Sequence, residues 1–123
     1  MRQQNPLASV TEIEKYISKI DGSLFDQNAT EILEQALDKI SRLIGIQWDI
    51  EDDLLDIDEE SDLCGQFNGM YLDVCHHHRN GWQGSINNRE VTPYRARRID
   101  IVGLVIIELI NNRLLTATQS KIN

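Results

Sequence analysis

Cys75, His76, His77 and His78 follow one another directly, ahead of Arg79-Asn80-Gly81-Trp82, and Asp73 stands two residues upstream. Thiolate and imidazole are the usual protein donors to zinc, iron and copper, so Asp73, Cys75, His76, His77 and His78 are the candidate transition-metal ligands. A strand would divide them, because neighbouring residues point to opposite faces. Met70, Leu72, Val74, His76 and His78 would then share one face, and Tyr71, Asp73, Cys75 and His77 the other. The expected sites are therefore partial: a His76/His78 pair, or a row of Asp73, Cys75 and His77. A structural zinc site usually takes four protein ligands, and Cys64 is the sole further thiol. The competing reading makes these histidines the solvated rim of a hairpin, where a strand leaves the core.

Catalysis asks more of the same residues. His77 oriented by the Asp73 carboxylate is the one acid–base pair the spacing suggests. No Gly-x-Ser-x-Gly or HExxH motif accompanies it. No catalytic residue is assigned, and a small hydrolytic enzyme ranks third among the functions considered.

A second stretch holds carboxylates without a cation. Asp49, Glu51, Asp52, Asp53, Asp56, Asp58, Glu59, Glu60 and Asp62 fall within fourteen residues that contain no Lys or Arg. Ca2+ takes six to eight oxygen ligands, and Asp56, Asp58, Glu60 and Asp62 do alternate. An EF-hand loop requires Gly at its sixth position and Glu at its twelfth. Counted from Asp56, those positions hold Ser61 and Phe67, so a calcium site here would be irregular. The stretch also reads as a solvated loop with Leu54, Leu55 and Ile57 against the core, or as a contact surface for a basic partner. Cations gather elsewhere: Arg79, Arg89, Arg95, Arg97 and Arg98, with Glu90 the lone acid between the first and the last. Arg95, Arg97 and Arg98 are expected near a helix N-terminus, where the dipole disfavours them unless an anion or carboxylate is in contact.

The whole chain has 123 residues and a formal net charge of −8, with 41% apolar and 26% charged residues. That suits one globular domain with its own core. It argues against sequence-independent binding to DNA or anionic lipid, both of which need basic surface. With two cysteines, no apolar signal core at the start and no span-length apolar run, the expectation is a cytoplasmic protein with reduced thiols and no membrane contact.

Six segments must position these groups. Asn5-Pro6 and Ser9-Val10-Thr11-Glu12 start a helix whose stripe is Val10, Ile13, Ile17 and Ile20, stopped by Asp21-Gly22. Asn28-Ala29-Thr30-Glu31 starts a second, with Ile32, Leu33, Ala36, Leu37, Ile40 and Leu43 on one face and an end near Gly45. Ile44, Ile46, Trp48 and Ile50 then alternate as a half-buried strand. After the acidic stretch, Gly65 and Gly69 bracket a turn-rich piece. A strand over 70–79 follows, Asn80-Gly81 forms a two-residue hairpin turn, and Trp82 to Ile86 returns as a strand weakened by Gly84. Thr92-Pro93 opens the last helix, apolar around most of its circumference over 99–115. Such a helix is either central to the domain or covered by a second subunit, and Gly103 within it points to a close backbone contact.

The expected fold is therefore α+β: an N-terminal helical hairpin, a small antiparallel sheet with an Asn-Gly hairpin, and a long apolar C-terminal helix. The leading functional expectation is a non-enzymatic binding or regulatory protein that meets a basic protein partner through the 49–62 carboxylates, with a homodimer through the 99–115 helix. Its alternative is a metal-binding protein. No cofactor is expected, and Zn2+ or Ca2+ are the candidates should a metal bind.

Overall fold

The computed structural model describes residues 6–49 and 62–122, with side chains described for 11–49 and 62–111. Three α-helices and one five-stranded antiparallel sheet make an α+β fold. Helix α1 (Pro6–Ser23) leads through a short 3-10 turn (Gln27–Ala29) to α2 (Thr30–Ile44). The strands β1 (Gln47–Trp48), β2 (Leu63–Phe67), β3 (Met70–His77), β4 (Gly81–Ile86) and β5 (Arg89–Glu90) follow, and α3 (Arg98–Ile122) closes the chain. The strands lie side by side in chain order, each antiparallel to the next. Among the described residues, no helix is long and apolar enough to cross a membrane.

Helix α2 ends as its sequence dictates. Gly45 takes φ +86°, and both its N–H and that of Ile46 donate to the Ser41 carbonyl, which satisfies the last turn. Its apolar stripe is only partly used: Leu33, Ala36, Leu37 and Ile40 are buried, whereas Ile32 and Leu43 are 54% and 38% exposed.

Helix α3 runs between the α1/α2 pair and the sheet. On one side, a Cβ added at Gly103 would lie 2.8 Å from Leu24 and 3.2 Å from Ile20, so the glycine admits side chains from the α1 region rather than another backbone. On the other side, a Cβ at Gly84 would collide with Val105 and lie 3.1 Å from Ile101. Gly84 thus lets α3 settle onto β4. Ile101, Val102, Val105, Ile106 and Leu109 are buried by elements of the same chain. The cover expected from a second subunit is supplied at these positions by the domain itself, and the side chains of 112–115 lie outside the described residues.

The structure differs from the sequence reading in five local details. Of the strand expected over Ile44, Ile46, Trp48 and Ile50, Ile44 ends α2 and, among the described residues, only Gln47–Trp48 is strand, because the helix runs on to its Gly45 cap. The piece bracketed by Gly65 and Gly69 is mostly strand β2. The two-residue Asn-Gly turn is Asn68-Gly69, at φ +54° and +81°, which closes Phe67 onto Met70. Asn80-Gly81 is not such a turn. β3 ends at His77, His77 pairs with Gly81, and His78-Arg79-Asn80 form the loop with Arg79 at φ +76°. Finally, Thr92-Pro93 does not start α3. The Thr92 hydroxyl accepts from the Gly84 N–H at 2.9 Å, and the chain bridges Arg95 to Trp82 before the helix begins at Arg98.

Candidate functional site

Alternation along the strands gives the sheet two different faces. Leu63, Phe67, Leu72, Val74 and Trp82 point inward and are buried. Cys64, Gln66, Tyr71, Asp73, Cys75, His77, Gln83, Ser85 and Glu90 point outward by the same period. Asp49 and Asp62 extend the outward rows of β1 and β2: the Asp49 N–H donates to the Cys64 carbonyl at 2.7 Å, and Asp62 Oδ1 accepts from the His76 N–H at 3.0 Å. The described strand residues of this face include no Lys or Arg. Among the described residues its carboxylates are Asp49, Asp62, Asp73 and Glu90.

Direct pairing places Cys64 opposite Asp73, Asp73 opposite Ser85, and Ser85 opposite Glu90. The Cys64 thiol donates to Asp73 Oδ1 at 3.2 Å. Tyr71, 43% exposed, is held by the β4–β5 turn: its N–H donates to Asn87 Oδ1 at 2.8 Å, and its carbonyl accepts from the Asn87 N–H at 2.7 Å. Beside it, Gln47, Asp49, Cys64 and Gln66 line a shallow cleft of about 310 Å³. On the inner side Trp48 lies over Gly65, leaving no room for a side chain there, and its Nε1–H donates to Ser41 Oγ at 3.0 Å.

The electrostatics follow from carboxylates without cations. Burial pushes the Cys75 thiol up to about 11, with Asp62, Asp73 and Cys64 adding to the effect. The Tyr71 hydroxyl, hydrogen-bonded to Cys64, favours a thiolate there. Burial and the charges of Asp73 and Asp49 outweigh it, so the Cys64 thiol also lies above its ordinary value. Tyr71 is itself pushed up to about 12, first by that hydrogen bond and then by Asp73. Both thiols are therefore neutral donors near neutrality, and neither is an activated nucleophile.

The histidine cluster is split three ways. His76 is on the inner side of the rim, its ring 5.0 Å from that of Trp82. His77 is on the outer side, edge-on to Tyr94 at 5.3 Å. His78 lies in the turn, so no His76/His78 pair forms on one strand face. Asp73, Cys75 and His77 do share the outer face, at successive alternate positions. Among the described residues, no group of three or more His, Cys, Asp or Glu side chains is arranged to hold a metal ion. Glu51, Asp52, Asp53, Asp56, Asp58, Glu59 and Glu60 lie outside the described residues, and with them the proposed calcium loop.

Each arginine near α3 has a partner. Arg97 meets Asp100 through Nε and Nη2, both at 2.9 Å, and donates through Nη1 to Thr30 Oγ1 at 2.6 Å. Asp100 also accepts from the Phe25 N–H at 3.0 Å, which holds Phe25 at φ +65°. Arg95 stacks over the Phe25 ring at 5.1 Å, while Arg98 is buried. The Arg97 carboxylate contact is thus internal, and it ties the α1–α2 connection to the start of α3.

The chain matches no family model, no curated protein and no solved structure. Its function must be read from its own surfaces. Sequence reasoning missed that Asp49, Asp62, Asp73 and Glu90 would converge on one face. The alternation of Cys64, Gln66, Tyr71, Asp73 and Cys75 around Asn68-Gly69 held that signal once Leu63–Phe67 is recognised as a strand.

Proposed function

We propose that this is a non-enzymatic binding protein whose outer sheet face, continuous at Asp49 and Asp62 with the acidic stretch between them, receives a basic segment of a partner protein. The observation that carries it is the grouping of Asp49, Asp62, Asp73 and Glu90 on a face whose described strand residues include no Lys or Arg. An exposed aromatic, Tyr71, stands among these carboxylates and offers a ring to an arginine or lysine. Complementary charge of this kind speeds encounter and selects partners. The raised thiols, which hold both cysteines back from the thiolate form, favour binding over hydrolysis.

Calorimetry with an arginine-rich peptide tests it. Asp49→Asn/Asp62→Asn/Asp73→Asn should weaken binding about tenfold or more, equivalent to about 1.4 kcal/mol. Neutralising Glu14, Asp21 and Glu31 on the helices should change it far less. Equal losses in the two triple variants would mean that net charge alone attracts the peptide.

A further inference from the structure

The helical side of the molecule carries a local cluster of cations among its carboxylates. A groove of about 300 Å³ between α1 and α2 is lined by Tyr16, Asp38, Lys39, Arg42 and Leu43. The ammonium groups of Lys15 and Lys19 both lie over the Tyr16 ring, at 5.8 and 5.7 Å from its centre. Arg42 is paired with Asp38 at 3.4 Å. Lys15, Lys19 and Lys39 have no carboxylate within ion-pair distance among the described residues. Lys15, Lys19 and Lys39, without an ion pair among the described residues, thus gather around a half-buried aromatic ring and the exposed edge of Leu43.

We propose that this groove docks the outer sheet face of a second copy of the same chain. The ammonium groups of Lys15, Lys19 and Lys39 on one surface meet the carboxylates of Asp62, Asp73 and Glu90 on the other, and Tyr16 and Leu43 supply apolar contact for Tyr71. The two patches belong to different surfaces, so the contact is heterologous and head-to-tail. Repulsion between copies of net charge −8 opposes it, which makes the association weak and dependent on protein concentration. The proposal rests on the outer face being a surface that receives cations, and it names the chain itself as one source of them.

A charge swap tests it. One variant carries Lys15→Glu/Lys39→Glu, and the other carries Asp73→Lys/Glu90→Lys. Sedimentation equilibrium of the unmodified chain should show average mass rising with concentration, and each variant alone should stay monomeric. An equimolar mixture should regain the association, because each copy then offers what the other lacks. Circular dichroism checks that both variants fold, and Lys39→Gln serves as a milder variant if one does not. Lysine acylation follows the groove directly: Lys15, Lys19 and Lys39 should be protected only as concentration rises. A chain that stays monomeric throughout, with these lysines either always reactive or already protected at high dilution, overturns the proposal. If the arginine-rich peptide still binds the outer face in that case, the binding function stands and only self-association fails.

Discussion

Cys64 and Asp73 sit directly opposite each other on β2 and β3, and the thiol donates to the carboxylate at 3.2 Å. This contact lies at the centre of the outer face and shows its character: Asp73 is met there by a neutral thiol and Asp62 by a backbone N–H, not by a cation. The chemistry of the thiols follows from the same arrangement.

Cys64 and Cys75 should react slowly with iodoacetamide at pH 7–8, with the Cys75 rate climbing toward its shifted value near 11. Asp73→Asn removes a charge that disfavours both thiolates and should accelerate both reactions. The sign for stability is equally definite. Cys75 is raised on folding, so its contribution is present below its ordinary value of 9.0 and is lost as pH rises through about 11. Mass-resolved alkylation across pH 7–11 measures the kinetic part, and a normal thiol profile at Cys75 would refute it.

Gly84 and Val105 form the contact between β4 and α3. Gly84→Ala should cost about 1–3 kcal/mol by overpacking. Val105→Ala removes the colliding methyl, so the double variant should be more stable than the two single losses predict when summed. Urea denaturation of the four proteins gives the coupling, and strict additivity would mean that α3 does not rest on this glycine.

The Arg97–Asp100 pair is buried at the carboxylate, whose side chain is 4% exposed. Arg97→Ala leaves that charge without its bidentate partner and should destabilise by about 3 kcal/mol. Asp100→Asn should also loosen Phe25, whose left-handed backbone the carboxylate holds. Hydrogen exchange at Phe25 should rise in Asp100→Asn well before the core amides of α2 respond.

How far the sequence could be read follows from which signals are local. The end of α2 at Gly45 and the alternation of β3 are local, and both were readable. The turn positions were not. Asn68-Gly69 and Asn80-Gly81 have the same dipeptide, yet only the first closes a two-residue turn. Gly81 is placed instead by the Arg95 carbonyl, which approaches so closely that a Cβ would collide with it. That contact joins β4 to the segment ahead of α3, as does the hydrogen bond from the Gly84 N–H to the Thr92 hydroxyl that removes Thr92 as a helix cap. The histidines misled for a related reason. Their adjacency suggests one site, while strand alternation and the end of β3 at His77 send them to three environments.

The binding role of the outer face is tested most directly by mapping where a basic segment lands. An arginine-rich peptide titrated into isotope-labelled protein, followed by amide chemical shifts, should give saturable changes at Gln66, Tyr71, Asp73, Cys75 and Gln83, weakening as salt is raised. Saturable changes centred on α1 and α2, or none on the outer face, would contradict it.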